Sequence, residues 1–216
     1  MKKLEDSLKF KEWTQSLLKN GVHIEDIDVL NTIHKPNGEV LFGLIDVDAV
    51  DEEGKKILPI VLLRGHFVIV LVCLIEKETF RKYCLLVKQR RIADGSMFYE
   101  HPAGMCDSES DPYKVALKEV WEETGLQISR ESLVLLNDKL LYSSPGLLDE
   151  GGYFFACEIS LTTKEIESFK NQKMGDTTEH EYITTYICSF EESFDLIKNT
   201  SGLLVNYLYL NHTNKK

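Results

Sequence analysis

The sequence predicts a layered fold of mixed strands and helices, α/β or α+β, and three observations predict it. Strand-like apolar runs are interspersed with segments of helical spacing along most of the chain. Of its 216 residues, 43% are hydrophobic and 10% aromatic, enough to bury a core. One helix, expected over residues 112–124, is punctuated at both ends. Asp111 suits the N-cap, Pro112 the first helical position, and Gly125 the left-handed turn just past the end.

The elements follow in order. Residues 4–20 carry Leu8, Trp13, Leu17 and Leu18 at helical spacing and stop at Gly21. Residues 27–33 and 40–50 read as strands around Pro36-Asn37-Gly38, and Asn-Gly between such runs signals a hairpin. A turn over 51–56 leads to a further strand over 57–63. Residues 1–62 are therefore expected to form an N-terminal helix and β-rich subdomain, too small to stand alone and in need of a partner surface. The main domain spans 63–216, with strands over 67–75, 83–90 and 97–101, the punctuated helix, and strands over 133–142 and 153–159. A short helix over 163–170, a loop over 175–181, a strand over 182–188 and helices over 190–199 and 202–212 complete it. On the punctuated helix, Tyr113, Ala116, Leu117, Val120 and Trp121 form the expected core-facing stripe.

Composition excludes several classes. A net charge of −10 argues against unaided nucleic-acid binding. An acidic chain still binds an anionic substrate where metal ions bridge the two. The five cysteines, Cys73, Cys84, Cys106, Cys157 and Cys188, include no C-x-x-C pair, and three lie in strand-like runs. That pattern reads as buried thiols in a reducing compartment. The mixed-charge N-terminus does not read as a signal peptide, and the longest apolar run, 67–75, is too short to span a bilayer. The expectation is a cytoplasmic protein without a membrane partner.

Glu119, Glu122 and Glu123 stand at i, i+3 and i+4 on the punctuated helix, within one arc of roughly 100°. Acids so crowded repel one another unless water or cations compensate. Two readings follow: a divalent-metal site or a solvated acidic face.

Residues 104–126, GMCDSESDPYKVALKEVWEETGL, decide between them because they resemble the Nudix box, G-x5-E-x7-R-E-U-x-E-E-x-G-U with U a bulky aliphatic residue. Gly104, Glu119, Val120, Glu122, Glu123, Gly125 and Leu126 match in register, whereas Ser110 replaces the first Glu and Lys118 the Arg. The sequence is similar to the ADP-ribose and ADP-sugar pyrophosphatase branch in four further places. These are Glu100-His101-Pro102-Ala103-Gly104-Met105, Lys88-Gln89-Arg90-Arg91, Ser144-Pro145-Gly146 with Glu150, and Glu179-His180-Glu181-Tyr182-Ile183. Phe10-Lys11-Glu12-Trp13 brings it closest to plant-type ADP-sugar diphosphatases. The resemblance covers nearly the whole chain, with the box as its specific part.

The resemblance implies a Nudix α/β/α sandwich with a mixed sheet, whose N-terminal subdomain helps to form a homodimer. It implies Mg2+, or Mn2+ in its place, held by Glu119 and Glu123 with help from Glu122 and the carbonyl of Ala103. Hard cations with oxygen ligands neutralise diphosphate charge and acidify bound water. A carboxylate of the late loop, Glu179 ahead of Glu181, is the implied base. Arg91 is the leading phosphate contact, since a guanidinium meets phosphate with two prongs; a surface ion pair with Glu100 is the equal alternative. Glu100, Arg64, Gly104 and Glu150 complete the expected substrate set. His101 and His180 lie close by in sequence, where structural or exposed roles are the ordinary ones, and Cys106 receives none.

The implied reaction is hydrolysis of an ADP-sugar, ADP-ribose or ADP-glucose first, to AMP and a sugar phosphate. Its rivals are a UDP- or GDP-sugar pyrophosphatase and a non-catalytic module that binds a nucleotide sugar. Neither departure from the box removes an expected ligand, so Ser110 and Lys118 are expected to retune activity.

Overall fold

A computed structural model describes residues 1–175 and 181–215. In chain order the elements are helix α1 (Leu8–Lys19) and strands β1 (His23–His34), β2 (Val40–Val50), β3 (Ile60–Leu63), β4 (Phe67–Glu76), β5 (Lys82–Arg90), β6 (Met97–Glu100) and β7 (Ala103–Met105). Next come α2 (Pro112–Thr124), β8 (Val134–Leu135), β9 (Leu141–Tyr142), β10 (Gly151–Leu161), α3 (Thr163–Ser168), β11 (Lys173–Met174), β12 (Ile183–Ser189), α4 (Phe190–Leu196) and α5 (Thr200–Thr213). The fold is mixed α/β. Among the described residues no helix is long and apolar enough to cross a membrane.

The chain divides into two compact units. The first comprises Met1–Phe67, Met105–Ser110 and Leu140–Gly152. Its antiparallel sheet runs β1-β2-β3. In β2 the buried residues alternate, so Ile45, Val47 and Ala49 join Leu4, Val40 and Leu63 in a core, with Phe10 and Trp13 against it. Ser7 caps α1 by accepting the Phe10 N–H. Gly43 is required because a Cβ there would collide with the Leu4 side chain. The expected strand over 57–63 shortens to β3 because Pro59 has no N–H to give a ladder; only its carbonyl engages, accepting from Val47 N at 2.6 Å.

Lys9 is 2% exposed, although it lies on α1. Its ammonium donates to the carbonyls of Val40 (3.1 Å) and Leu41 (2.7 Å) and pairs with Asp107 at 2.9 Å. Lys35 takes the other Asp107 oxygen at 3.1 Å. The segment Met105–Ser110 is thereby fastened inside this unit.

The second unit comprises Val68–Gly104, Asp111–Lys139 and Tyr153–Lys216. Its sheet order is β11-β12-β5-β4-β10-β8, with β6 on β5 and β7 on β4. Central β4 is buried on nearly every residue, which is why Val68 to Leu74 is continuously apolar rather than alternating. Helices α2 and α4 both pack on β5 and β12. Cys84 stands opposite both Cys73 and Cys188 across the ladders. All five thiols are free and buried, and burial pushes Cys84, Cys157 and Cys188 up, leaving them chemically quiet.

Two expectations are corrected. Residues 133–142 do not form one strand: β8 and β9 are separate two-residue pieces, and between them Asn137 turns the chain by donating to Lys139 O at 2.8 Å. Trp121 does not face the core; it is 55% exposed, while Val115, Ala116, Val120, Glu123 and Thr124 are buried. At about 100° per residue the buried stripe centres between Ala116 and Val120, and Trp121 falls about 120° to its side.

Replacing Lys9 by Met should lower stability by about 3 kcal/mol in denaturant titration, because Asp107 loses a buried partner and two carbonyls lose their donor. A loss below about 1 kcal/mol would show that the ammonium is not what fastens this segment.

Candidate active site

In the second unit, two elements bring the acids together: the short stretch from Glu100 through Gly104, and α2. The helix forms as its sequence punctuation indicates. Asp111 accepts the Tyr113 N–H at 3.0 Å and an Arg130 guanidinium N–H at 2.8 Å, and Gly125 adopts φ 70° while its N–H reaches Trp121 O at 2.9 Å. Thr124 ends the helix by donating to Val120 O.

The three helix acids do not share one exposed face; they descend from the surface into the core. The Glu122 side chain is 50% exposed, the Glu119 side chain 16%, and Glu123 is 6% exposed as a residue. Helix geometry explains the gradient, since steps of about 100° carry Glu123 into the buried stripe and leave Glu122 outside it.

Glu123 is anchored by the Ala103 N–H, which donates to its Oε2 at 3.0 Å. Glu119 lies directly over Gly104, where a Cβ would overlap its carboxyl carbon. A side chain at 104 would therefore displace the Glu119 carboxylate from this position. Burial first, and then the Glu119 carboxylate, hold Glu123 well above the ordinary carboxylate range. The Ala103 N–H opposes them, Glu181 adds to the rise, and Arg91 opposes it.

Arg91 donates through Nε to Glu100 Oε2 at 2.7 Å, and Glu100 is 7% exposed. The ion pair considered from sequence is therefore formed, while nearly half of the Arg91 side chain stays exposed. Lys118, in the arginine position of the box, bridges Glu122 at 2.8 Å and Glu119 at 3.8 Å. Glu181 is exposed, and Glu179 lies outside the described residues. Arg64 and Glu150 belong to the first unit, where they pair at 2.6 Å; Glu150 also accepts from Ser143 at 2.7 Å.

His101 acquires a place that the sequence reading left open. It is 1% exposed, and its Nε2 lies 2.8 Å from Asn206 Oδ1. Asn206 Nδ2 donates to Ser193 Oγ at 2.9 Å, so its oxygen is left to accept the Nε2–H of a neutral imidazole. Burial pushes His101 down to about 4, against the Asn206 hydrogen bond. The bond ties the backbone between Glu100 and Ala103 to α5. One sequence signal pointed to it: Asn206 is the lone polar residue in the run from Leu203 to Leu210, apart from the tyrosines.

The donors suit a small hard cation. Both buried or half-buried acids offer oxygen, and among the described residues the buried one has a single N–H as its hydrogen-bond partner. Among the described residues no three His, Cys, Asp or Glu side chains are gathered to enclose an ion.

Comparison with known proteins follows the same lines. Residues 65–200 match the NUDIX domain. Over 219 residues the chain is 27% identical to Nudix hydrolase 14, chloroplastic, of Arabidopsis thaliana, covering 94% of this chain and 70% of that protein. Over 68 residues it is 38% identical to Putative nudix hydrolase 2 of Caenorhabditis elegans, covering 32% of this chain and 29% of that one. The crystal structure of an ADP compounds hydrolase shares the fold, with a TM-score of 0.60 at 16% identity over 90% of this chain and 95% of that one.

Glu123 gives a pH signature with a definite sign. Its folded value lies above its ordinary value of 4.5, so between the two the folded chain keeps a proton that the unfolded chain has lost. The resulting cost is absent below about pH 4.5 and grows as pH rises toward the folded value. In divalent-free buffer, Glu123→Gln should therefore melt higher than the parent near pH 7 and at the same temperature near pH 4. Coincident melting curves near pH 7 would contradict the burial argument.

Proposed function

Because the chain belongs to the Nudix family, its domain matching residues 65–200, we propose that it hydrolyses the diphosphate of an ADP-sugar, ADP-ribose or ADP-glucose, to AMP and a sugar phosphate. The observation that carries this reading is the buried Glu123 carboxyl beside Glu119, fixed against the Ala103–Gly104 backbone. A solvated helix face would leave all three acids in water, and a pure binding module has no use for an acid that destabilises its own fold.

Glu119 and Glu123 would hold Mg2+, or Mn2+ in its place, with Glu122 and the Ala103 carbonyl assisting. When bound, such an ion supplies positive charge against the diphosphate oxygens and acidifies a water molecule. The protein's own groups do the rest. Arg91, with its guanidinium half exposed and its Nε held by Glu100, presents its remaining N–H groups to a phosphate. His101 and Asn206 fix the backbone between Glu100 and Ala103, so that these groups cost little reorganisation when substrate arrives. Glu179 or Glu181 takes the proton of the attacking water. Arg64 and Glu150 complete the substrate set from the sequence pattern. Lys118 keeps the positive charge of the box but meets Glu122 and Glu119 as a point charge, without a guanidinium fork.

We place the protein in a reducing aqueous compartment such as the cytoplasm, on the strength of its five free, buried thiols. We also propose a homodimer formed through the first unit. Its sheet leaves Leu30, Ile33, Leu41 and Ile60 between 37% and 49% exposed, an apolar surface costly to leave in water.

Phosphatase-coupled phosphate release should be detected from ADP-ribose or ADP-glucose with Mg2+ and vanish with chelator, and UDP- and GDP-sugars should be slower. Glu123→Gln should lose about 100-fold or more in kcat/KM, roughly 3 kcal/mol of transition-state stabilisation, while remaining folded. Faster turnover of a UDP- or GDP-sugar would reassign the base, and absence of turnover on the whole panel would refute the hydrolase. In sedimentation at micromolar concentration the chain should run at about twice its 24.8 kDa mass; a monomer would refute the dimer.

A further inference from the structure

The first unit contains a cavity of about 320 Å³ that none of the acids on α2 lines. Its volume lies at the lower end of the range for small-ligand sites. The walls are apolar and aromatic: Trp13 from α1, Ile60 from β3, and Tyr142 from β9. Trp13 is steadied by an edge contact to Phe10 at 5.9 Å, and Tyr142 by one to His66 at 6.4 Å.

The polar groups on these walls carry one sign. Asp149, buried, has its carboxylate fixed by the N–H groups of Arg64 (2.7 Å) and Gly65 (3.1 Å). Glu12 is half-buried and takes no hydrogen bond or ion pair among the described residues. The lysine on the wall, Lys9, contributes only its stem, because its ammonium is spent on Val40, Leu41 and Asp107. His66 accepts the Gly151 N–H at Nδ1 (3.2 Å). Among the described residues the cavity walls thus carry two carboxylates, and neither Lys9 nor His66 makes an ion pair or hydrogen bond with Glu12. Burial also raises Glu12 above its usual value, with Asp149 adding to the rise and His66 opposing it.

We propose that this cavity binds a small organic cation, an amine on an aromatic or cyclic aliphatic body, with Glu12 as its counter-ion and Trp13 and Tyr142 as its walls. Aromatic faces attract such cations, and an apolar body fills the remaining space. Anionic phosphates are disfavoured by the same charges, so the ligand belongs to a different class from the nucleotide sugar. The site does not depend on the hydrolase reading, since it is tested by binding.

The experiment uses the full chain carrying Trp121→Phe, which leaves Trp13 as the only tryptophan. Its emission is followed during titration with phenethylamine, the neutral isostere 2-phenylethanol and the anion phenylacetate. A saturable change with the amine, at least about tenfold weaker with the alcohol and absent with the acid, supports the site. Adding Glu12→Gln should then erase the preference for the amine over the alcohol, with the melting temperature maintained or raised. No saturable change with the amine, equal affinity for amine and alcohol, or an unchanged preference in the Gln variant would overturn it. Displacement of the amine by ADP-ribose would also overturn it, by making the cavity part of the substrate site.

Discussion

The hydrogen bond from the Ala103 N–H to Glu123 Oε2 is the constraint on which the candidate site depends. It joins the short segment after β6 to the last turn of α2, and it is the hydrogen bond that receives a carboxyl group otherwise enclosed by the core. Burying an acid costs free energy unless charge or hydrogen bonds compensate. One N–H compensates only in part, and Glu119 on the preceding turn makes matters worse. The geometry of the neighbourhood follows. The absence of a side chain at Gly104 leaves the space that Glu119 occupies, and α2 is capped at both ends. His101 ties the facing backbone to α5.

Between Gly104 and Asp111 the chain leaves the second unit for the first and then returns. The six residues of that excursion are fastened by Asp107 to Lys9 and Lys35. A lysine almost wholly buried on a helix is an expensive anchor, tolerable because two carbonyls accept its N–H groups and the Asp107 carboxylate stands 2.9 Å from its ammonium. The loop joining the two elements of the site is thereby fastened within the first unit.

Local chemistry made much of the fold legible. Asp111-Pro112 and Gly125 bounded α2 because caps depend on adjacent residues alone, and Asn37-Gly38 marked the β1–β2 hairpin for the same reason. The segment of residues 104–126 announced its family through spacing, and the domain match over residues 65–200 agrees. What sequence missed depends on the third dimension. Trp121 looked like a core residue by hydrophobicity, but the phase of α2 gives that place to Glu123, which hydrophobicity alone assigns to water. The burial of Lys9 carries no local signal, because its partners lie about thirty and a hundred residues away. Residues 133–142 looked like one strand until the Asn137 turn interrupted them. The pairing of Arg64 with Glu150 likewise joins residues whose proximity no local pattern encodes.

The central claim is that Glu123 is a buried acid awaiting a divalent cation, and the proton it holds offers the most direct test. Ligation requires the ionised carboxylate, so cation binding must expel that proton. Calorimetric titration of the full chain with Mg2+ at about pH 5.5, repeated in buffers of different ionisation enthalpy, measures protons released per ion bound. The account predicts net release from the parent chain and its loss in Glu123→Gln. Binding without proton release, or the same release from the Gln variant, would contradict it.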